Sequence, residues 1–213
     1  MLGDDKMSVM LMQDILSDIN KHILKDERPS IYLDEIAENS TFNKFPLEML
    51  NDLKKAEQSP KHHPEGNVWK HTMLVVDEAA IIKEKSSHPR AFMWAALLHD
   101  IGKPGTTKIR NGKITSYDHD KLGAELARKF MAEYTDDREF IETVAELIRW
   151  HMQILFVVNN LPFANLKTMK RKTDIHEIAL LGLCDRMGRL GVDRRKEEEN
   201  ILRFLEKCME QER

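Results

Sequence analysis

The chain predicts an all-α fold, and three observations carry that reading. Apolar residues recur at spacings of three and four along nearly its whole length, the period of a helix that buries one face. Strand signals are confined to one short segment around Asn111-Gly112. Four histidines have apolar neighbours at helical spacing: His71 with Val68, Leu74 and Val75, His99 with Phe92, Ala95 and Ala96, His119 with Leu122 and Leu126, and His151 with Val144, Leu147 and Ile148. A helical reading therefore turns all four imidazoles inward.

The first helix is expected over residues 7–26, with Val9, Met12, Ile15, Leu16, Ile19 and Ile23 on one side. Pro29 and Ser30 break the pattern, and Ser30 suits the cap of a helix beginning near Ile31. Pro46 precedes a helix expected at Leu47–Glu57. Residues 59–67, rich in Pro, His and Gly, read as a loop leading into the helix that carries His71. Later helices are expected at Val68–Glu84, Pro89–Asp100, Asp120–Tyr134, Asp137–His151, Asp174–Leu190 and Arg194–Glu210. Gly102 fits a C-terminal stop after His99-Asp100. Thr107–Ile109 and Lys113–Ser116 make a short hairpin about Asn111-Gly112. Gln153–Lys172 has no clear period and reads as irregular structure over the site. The stripe Ile201, Leu202, Phe204, Leu205 and Cys208 suits docking onto the body or onto a second subunit.

Bulk properties exclude several classes. The 213 residues suffice for one compact domain with a small extension. A formal net charge of -3, with 41% hydrophobic and 32% charged residues, gives no general pull toward nucleic acid or anionic membrane. No run of about 18 apolar residues exists, so no transmembrane helix is expected. Asp4, Asp5 and Asp14 replace the basic start of a secretory signal. Cys184 and Cys208 cannot build a disulfide framework, and a reducing, cytoplasmic compartment is the simplest expectation.

The chemistry lies in His71, His99-Asp100, His119, His151 and Asp185. One buried histidine is usually a satisfied core residue; four with two carboxylates on similar faces look like a metal site. Adjacent residues point about 100° apart on a helix, so His99 and Asp100 reach one ion together only where the helix ends. Carboxylate beside imidazole suits Mg, Mn, Fe, Ni, Co or Zn, and the lack of thiolates argues against a closed structural zinc site. Asp185 follows Ile178, Leu181 and Gly182 at helical spacing, and a metal is a good reason to tolerate a buried carboxylate.

These residues carry a resemblance. Trp69-Lys70-His71-Thr72, the run Ala95 to Pro104 (AALLHDIGKP) and the run Leu183 to Arg189 (LCDRMGR) are similar to the HD superfamily of metal-dependent phosphohydrolases. The run His63 to His71 (HPEGNVWKH), and Tyr117-Asp118-His119 followed by Gly123-Ala124-Glu125, resemble the HD portion of bacterial CCA-adding tRNA nucleotidyltransferases. No Gly-Ser with paired carboxylates marks a nucleotidyltransferase active site, so the resemblance is to a free-standing HD domain. His99-Asp100 is followed by Ile-Gly-Lys-Pro, which departs from the HDxxED variant, and the Gly-Tyr-Pro signature of cyclic-di-GMP phosphodiesterases is absent.

The resemblance implies an HD-domain helical bundle with a metal site in its core. Residues 60–195 would be the HD domain, 1–59 an N-terminal helical extension packed on it, and 196–213 a charged C-terminal helix. It implies one or two divalent ions. His71, His99 and Asp185 would hold the first, His119 and His151 the second, with Asp100 shared between them as a catalytic ligand. Such ions clamp a phosphate and activate water at neutral pH. Lys103 would neutralise a phosphate oxygen or protonate a leaving group, and Arg149 and Arg189 would bind substrate phosphate. Asp77 or Glu78 would orient an imidazole, and His62 or His63 would line the entrance.

The expected function is hydrolysis of a phosphomonoester or cyclic phosphodiester of a nucleotide-like small molecule. A 2′,3′-cyclic nucleotide is the leading substrate and an RNA end a further candidate. Two rivals stand beside it. HD-fold oxygenases such as myo-inositol oxygenase hold two irons with the same ligand order, and a non-catalytic module would bind a nucleotide without turnover.

Overall fold

The computed structural model describes residues 2–210, with side chains described from Leu11 onward. Helix α1 (Leu2–Lys25) starts earlier than the periodicity suggests and buries Leu16, Ile19 and Ile23; the Val9 side chain falls outside the described residues. Asn20 anchors α1 to the body by accepting from Trp94 Nε1 at 3.0 Å and Arg90 Nε at 3.2 Å. Helix α2 (Pro29–Ile36) begins at its proline, which presets the first-turn backbone. Ser30 is therefore inside the helix, not its cap. Its backbone N–H and Oγ both donate to Asp77, at 3.0 and 2.7 Å. The helix expected at Leu47–Glu57 is only one α turn, α3 (Glu48–Asn51), tightening into a 3₁₀ turn at Asp52–Lys55.

Four helices then enclose the core: α4 (Val68–Ile82), α5 (Pro89–Leu98), α8 (Arg138–Trp150) and α11 (Ile175–Met187). Helix α5 is buried from Ala91 to Leu98, as a central helix must be. Asn67 caps α4 by accepting from Lys70 N at 3.0 Å, and Asp137 caps α8 by accepting from Phe140 N at 3.1 Å. A single-turn helix α6 (Lys103–Thr106) leads to an antiparallel hairpin, β1 (Lys108–Arg110) with β2 (Lys113–Thr115), paired Lys108 to Thr115 and Arg110 to Lys113. Asn111 and Gly112 turn it with φ of 50° and 72°. Helix α7 (His119–Ala132) follows at once and packs along α8.

The stretch Gln153–Lys172 is more ordered than its pattern suggests. It holds α9 (Gln153–Val158) and α10 (Leu166–Lys172), too short to display a period. Gln153 ties them together, since its Oε1 accepts from Asn165 N at 2.8 Å. Helix α12 (Arg194–Glu210) buries Ile201, Phe204 and Cys208 against the body and leaves Leu202 exposed. No described helix is long and apolar enough to cross a membrane. Both cysteines are buried and neither is in a disulfide, and burial pushes the Cys184 thiol pKa up.

Candidate metal centre

Five helices and the turns that end them deliver the six expected ligands to one place. His71 lies on the first turn of α4. His99 is the C-terminal cap of α5, and Asp100 follows it in the turn. The helix does end there, so neighbouring residues can face a common point. His119 opens α7, His151 caps the end of α8, and Asp185 sits on α11. All six are buried, His71 completely.

Asp100 is the hub. Its Oδ2 lies 3.1 Å from His99 Nε2, 4.0 Å from His71 Nε2 and 2.7 Å from Lys103 Nζ; its Oδ1 lies 3.5 Å from His119 Nε2. Two groups able to hold an ion share it: His71, His99 and Asp100, and Asp100, His119 and His151. Asp185 Oδ1 joins the first group at 3.1 Å from His71 Nε2.

The backbone fixes the histidine tautomers. His99 Nδ1 donates to Ala96 O at 2.9 Å, His119 Nδ1 to Ser116 O at 2.7 Å, and His151 Nδ1 to Ile148 O at 2.6 Å. A carbonyl only accepts, so Nδ1 carries a proton in each, and whenever the ring is neutral it is Nε2 that presents a lone pair inward. Burial lowers the His119 pKa and pushes that of His151 down to about 4, which keeps both rings neutral. Yet His119 Nε2 and His151 Nε2 face one another at 3.2 Å. His99 Nε2 and Asp100 Oδ2 are buried with no aligned hydrogen bond among the described residues. Converging lone pairs beside a carboxylate suit a divalent cation.

The charges agree. Burial alone would raise the Asp100 pKa, but His99 and Lys103 outweigh it and hold the carboxyl well below the usual range. Burial likewise opposes ionisation of Asp185, which Arg189 and His71 keep low. His71 behaves differently from His119 and His151. Burial would lower its pKa, but Asp185 and Glu65 on opposite ring nitrogens raise it.

Glu65 was not visible to helical periodicity because it stands in the loop before α4. Its Oε1 lies 2.9 Å from His71 Nδ1 and 2.8 Å from His63 Nδ1, and its Oε2 accepts from Leu190 N at 3.4 Å. Glu65, and not Asp77 or Glu78, therefore orients an imidazole. Asp77 is occupied by Ser30, and Glu78 pairs with Arg194 at 2.6 Å. The one available signal was the spacing of Glu65 between two histidines in HPEGNVWKH. His63 sits edge-on to His71, ring centroids 4.8 Å apart, and burial pushes its pKa down to about 4. Glu65→Gln is expected to weaken Mn binding about 10- to 100-fold. Titration calorimetry on metal-stripped protein measures this, and unchanged affinity would leave Glu65 with no role in orienting His71.

Lys103, on α6, is buried and donates to Gln58 Oε1 at 2.6 Å as well as facing Asp100. Gln58, held in turn by Gly66 O at 3.3 Å, is a second residue that no pattern in the sequence marks. Arg189 Nη2 reaches both oxygens of Asp185, at 3.2 and 3.4 Å, while its Nε is buried without a partner among the described residues. Arg149 is tied to the Asp120 carboxylate, beside His119, with its guanidinium 4.5 Å from the Trp150 ring centre. Gly102 has φ of -81°, so it is no left-handed stop. Glycine is required because a Cβ there would lie 2.2 Å from His119 O and 2.6 Å from Gly123 N. That close approach lets the turn after Asp100 touch the start of α7.

Comparison with known proteins agrees with this geometry. The HD domain family model matches residues 68–200, which span all six expected ligands. The chain belongs to the HD domain family. That places it in a superfamily of metal-dependent phosphohydrolases whose members bind divalent metals. A multifunctional CCA protein of Actinobacillus pleuropneumoniae is 35% identical over 92 residues, covering 42% of this HD protein and 22% of the relative. One from Aromatoleum aromaticum is 32% identical over 145 residues, 65% of this chain and 34% of the relative. A CC-adding tRNA nucleotidyltransferase of Thermus thermophilus is 29% identical over 128 residues, 59% of this chain and 29% of the relative. The HD protein thus aligns with about a third or less of the length of these curated relatives.

Proposed function

We propose that this HD protein hydrolyses a phosphomonoester or cyclic phosphodiester of a nucleotide-like substrate, with a 2′,3′-cyclic nucleotide as the leading candidate. The observation that carries this reading is Asp100, shared by two histidine groups and faced at 2.7 Å by the Lys103 ammonium. A bare ligand cage needs no such cation; a site that receives a phosphate does. One relative is by name a tRNA nucleotidyltransferase, which supports a nucleotide or an RNA end as substrate.

His71, His99, Asp100 and Asp185 would hold one divalent ion, and Asp100, His119 and His151 a second, drawn from Mn, Ni, Co, Mg, Zn or Fe. Bound there, such ions supply Lewis-acid activation of phosphate and water. The protein supplies the rest. Gln58 aims the Lys103 ammonium, which neutralises a phosphate oxygen and gives a proton from Nζ to the leaving oxygen. Arg189 steadies Asp185 and offers its unpartnered Nε–H to a phosphate oxygen. Arg149 stands beside the second histidine group and serves as an outer phosphate contact once it exchanges Asp120 for substrate.

The test is elemental analysis of the purified chain, paired with hydrolysis of p-nitrophenyl phosphate and 2′,3′-cyclic AMP under added Mn, Ni, Co or Mg. Metal-dependent phosphate ester cleavage is the expected result. About two irons per chain with oxygen consumption and no phosphate release would replace this reading with a di-iron oxygenase. Tight nucleotide binding without turnover, unchanged in His99→Ala, would replace it with a binding module.

A further inference from the structure

The hairpin β1–β2 is a basic segment on a chain of net negative charge. Between Asp100 and Asp118 the chain carries four cations, Lys103, Lys108, Arg110 and Lys113, and no carboxylate, although its net charge is -3. Lys108, Arg110 and Lys113 are exposed, and none forms an ion pair with any described residue. By contrast, Arg128 on α7 pairs with Glu142 at 2.7 Å and Lys121 with Asp118 at 2.7 Å. Tyr117, at the hairpin's end, is exposed, with the Arg110 guanidinium 5.1 Å from its ring centre.

The hairpin is also rooted in the metal centre. Thr107 Oγ1 donates to Lys103 O at 2.8 Å, and Thr107 and Ser116 join their hydroxyls across its base at 2.8 Å. Ser116 O is the acceptor that fixes the His119 ring. One foot thus stands on Lys103 and the other on a ligand of the second histidine group. A strand end whose terminal phosphate reached Lys103 would run its preceding phosphates along this unpaired basic ribbon.

We infer that the hairpin is a grip for single-stranded RNA, so that the substrate is an RNA 3′ end and not a free nucleotide. Lys108, Arg110 and Lys113 hold backbone phosphates, and Tyr117 stacks a base. Charge complementarity selects a polyanion, and the ribose follows from chemistry, since a 2′,3′-cyclic phosphate exists only on a 2′-hydroxyl sugar. The inference rests on the hydrolase reading for its substrate terminus.

The experiment uses a labelled eight-nucleotide RNA ending in a 2′,3′-cyclic phosphate. Binding by fluorescence anisotropy in the Asp100→Asn background is compared with the same protein carrying Lys108→Ala, Arg110→Ala and Lys113→Ala. The triple change is expected to weaken binding about tenfold or more and to lower the slope of log affinity against log salt by about 2, as three lost phosphate contacts require. Tyr117→Ala weakens binding and Tyr117→Phe restores it. With Asp100 intact, the triple change lowers the ratio of kcat/KM on the RNA to kcat/KM on 2′,3′-cyclic AMP. Equal affinity and an unchanged ratio would overturn the grip while cyclic AMP cleavage kept the hydrolase reading alive. RNA binding lost in the triple variant, with no ester cleaved by the parent protein, would sink the hydrolase reading and keep the grip. Equal affinity for the matching DNA strand would overturn the assignment to RNA.

Discussion

Asp100→Asn is expected to abolish phosphate ester hydrolysis, lowering kcat by about 10³-fold or more, the scale of losing a residue on which the other catalytic groups depend. Its two oxygens face both histidine groups, Oδ2 toward His99 and His71, Oδ1 toward His119. The amide keeps the side chain's shape but loses the charge and one acceptor, so a fold-competent protein with poor metal retention should result. Asp100→Ala serves less well. It leaves the buried Lys103 ammonium with Gln58 alone, and stripping one partner from a buried pair costs about 3–5 kcal/mol. Metal content by elemental analysis, circular dichroism and turnover, measured together on Asp100→Asn, separate loss of site from loss of fold. A folded Asn variant with wild-type turnover would remove Asp100 from the chemistry.

Gly102→Ala is expected to destabilise the fold by about 3 kcal/mol or more, beyond the usual cost of overpacking. The added Cβ would meet His119 O at 2.2 Å and Gly123 N at 2.6 Å, and both are backbone atoms that cannot swing aside. Gly105→Ala is the control. Its Cβ meets only Leu122 Cδ2, at 2.8 Å, the far end of a side chain that can change rotamer. Because α7 must back away from Gly102, His119 moves with it, and metal affinity should fall together with stability. Urea unfolding of the two variants measures the first effect and Mn titration the second. Equal midpoints for Gly102→Ala and wild type would show that the turn relaxes freely.

Much of this site is legible without coordinates. Helical spacing alone turns His71, His99, His119, His151 and Asp185 inward, because a residue that shares a face with Val68, Ala95 or Leu147 must share its burial. The same logic explains what is not legible. Glu65 and Gln58 lie in the loop before α4, where no period ties side-chain direction to sequence, yet they hold His71 and Lys103. Ser30 reads as a cap from local chemistry, but Pro29 starts the helix and Asp77, forty-seven residues away, claims the hydroxyl. Helices α9 and α10 escape notice because six and seven residues make fewer than two turns.

By itself, then, the sequence determined the all-α class, the buried set of histidines and aspartates and the family, since these depend on periodicity and on the order of motifs along the chain. Tertiary structure decided which oxygen of Asp100 faces which histidine, which carboxylate orients His71, and why residue 102 must be glycine. Each of those is a contact between segments far apart in the chain, and its geometry exists only once the helix ends converge.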